Sequence, residues 1–309
     1  VTVLELGATV PRFKKPSTVP MPWRPGTTNR RRHLMAYNDE DDELEGVEPI
    51  EDVERKRNAV LYGRSGTGKT TLSSTWPKPL LLLDIRDEGT DSITKGPGIF
   101  IKDISTFAEM EDTLFWLIRH PKKYKTIVVD TVSQLQEILV EEVGARRKKK
   151  KSSSAKRAGD WGTLRQQDWG EIAGKMKSII IDFRNLEPEV VFIAQDRTNK
   201  GSDEDDDDSD VEAIAPEVGP QLMPSVARVL NAAVPIIGNT LIRIRYETRK
   251  DSKGKRLKPK RVIEYCLRVG PSPTFVTKIR KPVSIIAPDF IVDPSYDDIA
   301  DIIEGEYEE

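Results

Sequence analysis

The stretch "NAVLYGRSGTGKTTLSSTW", residues 58–76, decides the fold. Its opening, "NAVLY", is a short β-branched and apolar run that reads as a buried strand. "GRSGTGKTT" follows and fits the spacing G-x-x-x-x-G-K-[ST], with Gly63, Gly68, Lys69 and Thr70 at the fixed positions. Across Arg64, Ser65, Gly66, Thr67 and Gly68 such a loop turns its backbone N–H groups inward onto phosphate oxygens. Lys69 is placed to reach the β- and γ-phosphates, and the Thr70 hydroxyl to ligate Mg2+. Thr71 continues into a helix whose positive N-terminus faces the same anion. A bound nucleoside triphosphate follows. Its use does not, because kinases, GTPases, motors and recombinases share such a loop.

Outward from the loop, strands and helices alternate. "PLLLLDIRDEGTDSI" (79–93) is a buried strand ending in acidic residues, and "GIFIKDI" is another short strand. "FAEMEDTLFWLIRH" places Phe107, Met110, Leu114, Leu117 and Ile118 on one helical face. "YKTIVVDTVSQL" runs through Thr126 to Val129 into Asp130 at a strand's carboxyl end, where an acid holds Mg2+ directly or through water. "DWGEIAGKMKSIIIDF" carries Trp169, Ile172, Met176, Ile179, Ile180 and Phe183 at helical spacing, a core-facing helix. "EVVFIAQDR" is a further buried strand with polar Gln195 at its end. The alternation implies an α/β fold, a mostly parallel sheet flanked by helices with ligands at its carboxyl edge.

Composition bounds the rest. Of 309 residues 37% are apolar and 32% charged, which suits one sizeable core with charged loops that do not pack. The core is expected over 56–285, a poorly ordered charged arm suited to docking on a neighbouring subunit over 1–55, and a segment with a short helix and acidic tail over 286–309. The single cysteine, Cys266, excludes an internal disulfide framework, and two histidines argue against a zinc site. No apolar run approaches the ~18 residues of a membrane span, so a cytoplasmic location is expected. A GTPase would carry N-K-x-D after a strand, whereas "TNKGSD" has its acid one residue late. No Arg-bearing lid of a small-molecule kinase stands out. ATP with Mg2+ is the expected cofactor pair.

The order of phosphate loop, acidic strand end, "IVVDT" strand and "FIAQ" strand resembles the RecA-like core ATPases. With "PDFIVDPSYDDIADII" near the other end, the chain looks like the phage-encoded nucleotide-binding proteins that include RecA-related single-strand annealing recombinases. The resemblance spans about residues 57–304 and implies a RecA-like core with a C-terminal β-hairpin extension. It implies that Gln195 senses the γ-phosphate and relays its state to the following loop. It also implies a catalytic Glu after the second core strand. Here Arg86 falls at that place, and Glu88, two residues on, is the candidate base, with Asp84 a structural residue.

Two loops carry opposite charge. Loop 145–160, "ARRKKKKSSSAKR", holds Arg146, Arg147, Lys148, Lys149, Lys150, Lys151, Lys156 and Arg157, a run suited to phosphate neutralisation on single-stranded DNA. Loop 197–218 contains the acidic run 203–210, either a solvated insertion or a gate that folds against the basic run when DNA is absent. "LIRIRYETRKDSKGKRLKPKRVIEYCLRVG" reads as two strands around a basic hairpin tip. The resemblance further implies that Lys278 and Arg280 reach a neighbour's γ-phosphate in a homo-oligomeric ring or filament, and that a single-strand DNA-binding protein cooperates. The expected function is an ATP-dependent recombinase that anneals or pairs DNA strands. A weakly hydrolysing mediator and a translocating motor are the alternatives; the motor is disfavoured because Thr131, not Glu, follows Asp130.

Overall fold

A computed structural model describes residues 56–86, 93, 96–151, 164–199, 217–249 and 256–307; of residues 148–151 it describes the backbone alone. The chain divides after Val53, and the unit from Glu54 onward contains all of these residues. The 1–55 arm therefore lies outside them.

Seventeen elements stand among the described residues. The first five are β1 (Ala59–Tyr62), α1 (Lys69–Ser73), β2 (Leu80–Ile85), β3 (Ile99–Ile104) and α2 (Phe107–Arg119). Next come β4 (Thr126–Asp130), α3 (Val132–Lys151), α4 (Gln166–Asn185) and β5 (Glu189–Ala194). A short ribbon, β6 (Asp196–Asn199) and β7 (Glu217–Pro220), precedes α5 (Pro224–Ala233). The remainder is β8 (Ile236–Glu247), β9 (Lys260–Arg268), β10 (Lys278–Ile279), β11 (Phe290–Val292) and α6 (Tyr296–Glu304).

The main sheet runs β11-β9-β8-β1-β5-β4-β2-β3, with β10 on β8. From β8 to β3 the pairings are parallel, and β9, β10 and β11 add antiparallel pairs. This is the expected α/β class with its C-terminal hairpin. β1 and β4 are not neighbours: β5 lies between them, so the phosphate loop, Asp130 and Gln195 emerge from three adjoining strands at one edge. Alternation within β1 builds both cores. Val60 and Tyr62 join a cluster with α2, α3, α4 and α5, while Ala59 and Leu61 join one with α1 and α6.

The helical faces came out nearly as spaced. Phe107, Met110, Leu114 and Leu117 are buried, as are Ile172, Met176, Ile179, Ile180 and Phe183. Ile118 and Trp169 were expected in the core and are instead 52% and 40% exposed. Each lies at the margin of its stripe, and Thr113 takes the buried place beside Met110.

The basic stretch departs from expectation. Residues 145–151 are not loop but the last two turns of α3. Lysine and arginine are good helix formers and favour a helix C-terminus. Part of the charge is also offset, because Arg146 pairs with Glu171 at 2.7 Å and Arg147 with Asp168, both on α4. The acidic stretch departs too: its ends, 196–199 and 217–220, pair as β6 and β7, while the run 203–210 lies outside the described residues.

Candidate nucleotide-binding site

β1 ends at Tyr62 and the loop from Gly63 turns over the sheet edge into α1. Gly63 is where side chains are forbidden: a Cβ there would meet the Thr240 backbone oxygen at 2.4 Å and its hydroxyl at 2.5 Å. Thr240 cannot retreat, since β8 is locked to β1 from Ala59↔Ile236 to Tyr62↔Asn239. Gly63→Ala is therefore expected to cost about 2–3 kcal/mol, as overpacking against backbone does. Urea unfolding measures it, and a loss below about 0.5 kcal/mol would contradict the packing described. Gly66 and Gly68 adopt φ of 78° and 86°, the left-handed turns that carry the loop round. Thr67 Oγ1 donates to the Arg64 carbonyl at 2.8 Å and meets Thr240 Oγ1 at 2.6 Å, which fixes the loop on β8.

The loop walls a cavity of about 770 Å³. Ser65 through Leu72, Asp130, Thr131 and Gln195 line it. Lys69 is buried, its ammonium donating to the carbonyls of Gly63 at 2.9 Å and Arg64 at 2.8 Å. Thr70 Oγ1 donates to Asp130 Oδ2 at 2.7 Å, joining the two expected metal ligands across 60 residues of sequence. Oxygen donors of this kind suit Mg2+, which keeps waters and substrate phosphates in its other positions. The described residues contain no group of three His, Cys, Asp or Glu able to hold a metal unaided. Thr70 and Asp130 thus fit an ion that arrives with a triphosphate, and such an ion would supply charge neutralisation there.

Gln195 lines the same cavity and links β5 to the β6–β7 ribbon. Its amide donates to Ser133 Oγ at 3.1 Å, its carbonyl accepts from Gln221 N at 2.7 Å, and Ser133 Oγ donates to the Gln221 carbonyl at 2.9 Å. Both ends of the ribbon are thereby pinned to the first turn of α3, directly after Asp130.

Other candidates fall elsewhere. Glu88 lies outside the described residues. Arg86, at φ 53°, turns its guanidinium to Glu141 at 2.8 Å. Asp84 is buried and in register with Asp130 on the adjoining strand, on the same face of the sheet. Lys148, Lys149, Lys150 and Lys151 are placed by backbone alone, and Lys156 and Arg157 lie outside the description. α3 carries Arg146 about 21 Å along its axis from Val132, so the basic run begins away from the cavity. Lys278 and Arg280 sit at and just beyond β10, beside Ile236 and Ile237 at the start of β8. The Lys278 ammonium donates to the Asn231 carbonyl at 2.7 Å, and burial followed by the Arg280 charge holds its pKa below the usual lysine range.

The sequence reading missed one wall. Thr240 on β8, Tyr265 and Cys266 on β9, and Asp293 and Pro294 after β11 also line the cavity. Asp293, at φ 47°, donates its amide to the Tyr265 carbonyl at 2.6 Å, which docks this wall on β9. Burial pushes the Cys266 thiol above its ordinary pKa, so it is a packing residue rather than a ready nucleophile. The signal for this wall was the pairing register of β8, β9 and β11, which no local motif encodes.

Comparison with known families settles where such a phosphate loop belongs. The sequence profile described as "AAA domain" matches residues 55–281, most of the chain. The chain belongs to the AAA domain family. No curated protein matches it. Among solved structures it is similar to a KaiC-like protein of the hyperthermophilic archaeon Pyrococcus horikoshii OT3, at 10% identity, over 77% of this chain and 89% of that one, with a TM-score of 0.35. That superposition is loose, and the fold of this AAA-domain chain rests on its own strand order. No described helix is long and apolar enough to cross a membrane.

Proposed function

We propose that this AAA-domain protein is an ATP- and Mg2+-dependent ATPase of the RecA-like, phage recombinase type. It binds single-stranded DNA as a homo-oligomeric ring or filament in the host cytoplasm and promotes annealing or strand pairing, alongside a single-strand DNA-binding protein. The observation carrying this reading is Gln195: it lines the cavity and immediately precedes the ribbon leading to 200–216. A γ-phosphate that draws the Gln195 side chain pulls on a ribbon base held by Ser133 and Gln221. Hydrolysis uses Lys69 and the loop amides to stabilise charge on the leaving group. Water activation falls to Glu88 or to the buried Asp84 beside Asp130.

A weakly hydrolysing mediator is the second reading, favoured by Arg86 standing where a catalytic Glu is expected and bound instead to Glu141. One experiment separates them: ATPase rate with and without a dT oligonucleotide, alongside annealing of complementary oligonucleotides. The recombinase reading expects turnover stimulated severalfold, annealing that needs nucleotide, and loss of the stimulation in Gln195→Ala. Nucleotide binding with neither stimulation nor annealing would establish the mediator.

A further inference from the structure

β1 stops at Tyr62, level with Asn239, but β8 continues eight residues further to Glu247. With β9 it forms an arm standing about 27 Å beyond the sheet edge that carries the phosphate loop. The arm's two faces differ. On one, Arg243 and Arg245 both pair with buried Glu264, and Arg245 also with Glu247. On the other, Ile242 opposes Tyr265, Ile244 opposes Ile263, and Tyr246 opposes Arg261. These five apolar side chains are 43–66% exposed, Tyr246 the most. Arg261 stands on this same face; Lys260, opposite Glu247, stands on the ion-paired one, and Arg249, Arg256 and Lys258 lie beyond the paired residues at the tip. All five are exposed and none is in an ion pair with another described residue.

We infer that this face of the β8–β9 arm binds a single strand of nucleic acid, distinct from the basic end of α3. Cations with no acidic partner among the described residues select a polyanion. An apolar platform with tyrosines at both ends offers rings to unpaired bases, which stack on them with little regard to sequence. A partner protein would need acidic groups matching the tip and apolar groups matching the ladder; a single strand supplies both phosphates and bases in alternation. The ladder from Tyr265 to Tyr246 covers about 14 Å, room for two or three nucleotides. Because Tyr265 also lines the nucleotide cavity, the arm's root is shared between the two ligands.

The inference rests on the proposed DNA-binding function, and its test separates the two. Fluorescence anisotropy of a labelled dT oligonucleotide is titrated with wild type, Tyr246→Ala, and Lys258→Ala with Arg261→Ala, each checked by thermal melting. Tyr246→Ala is expected to weaken binding about 5- to 100-fold, the stacking of one base. The Lys258/Arg261 double variant is expected to reduce the slope of log affinity against log salt by about 1.4, two phosphate contacts on a single strand. Wild type that fails to bind removes the proposed function with the inference. Wild type that binds, with both variants within twofold and of unchanged slope, overturns the arm alone. Sedimentation that shifts in Ile244→Asp while the oligonucleotide affinity of all variants stays constant assigns the face to a second copy instead, and likewise overturns it.

Discussion

Lys69→Ala is expected to weaken ATP binding by about 100-fold or more and to take phosphate release to background. The ammonium is buried at 6% exposure and already turned into the loop, where it donates to two carbonyls of the phosphate cradle. A triphosphate exchanges those neutral acceptors for anionic ones, and charge-assisted bonds contribute about 1.5–3 kcal/mol each. Two such bonds account for the expected loss. Titration with a fluorescent ATP analogue and a phosphate-release assay measure it. A variant retaining a tenth of wild-type hydrolysis would place the reaction outside this loop.

Asp130→Asn is the second large effect, and its signature differs. The amide keeps the shape and still accepts from Thr70, whose hydroxyl lies 2.7 Å from the carboxylate. It removes the negative charge that complements Mg2+. Hydrolysis is expected to fall about 100- to 1000-fold, the scale of losing a main electrostatic contributor. Nucleotide affinity in EDTA should hold or tighten, since one buried anion near the triphosphate is gone, while the Mg2+-dependent gain in affinity disappears. Equal losses with and without Mg2+ would show that Asp130 only holds the fold.

What the sequence disclosed tracks how local the physics is. The phosphate loop is set by glycines and a lysine within nine residues, so it was readable outright. Asp130 and Gln195 were readable because apolar strands end in them, and β5 lying between β1 and β4 brings all three together. The wall made of Tyr265, Asp293 and Pro294 was not, since it depends on antiparallel register among strands separated by long connections. The basic run misled as a loop because its charges were weighed without Asp168 and Glu171, which lie beyond it in sequence and beside it in space. Trp169 and Ile118 misled because the edges of an apolar stripe are set by neighbouring helices, not by period alone.

The cavity's walls come from Ser65 at one extreme and Pro294 at the other, with β8 closing against β1 across about 180 residues. During synthesis the phosphate loop leaves the ribosome long before the strand that braces Gly63 or the turn that follows β11. An emerging chain therefore meets cellular ATP with half a pocket, and ligand binding lends its mass-action stabilisation only to the finished protein. Nucleotide is therefore expected to seal completed folding rather than to template it.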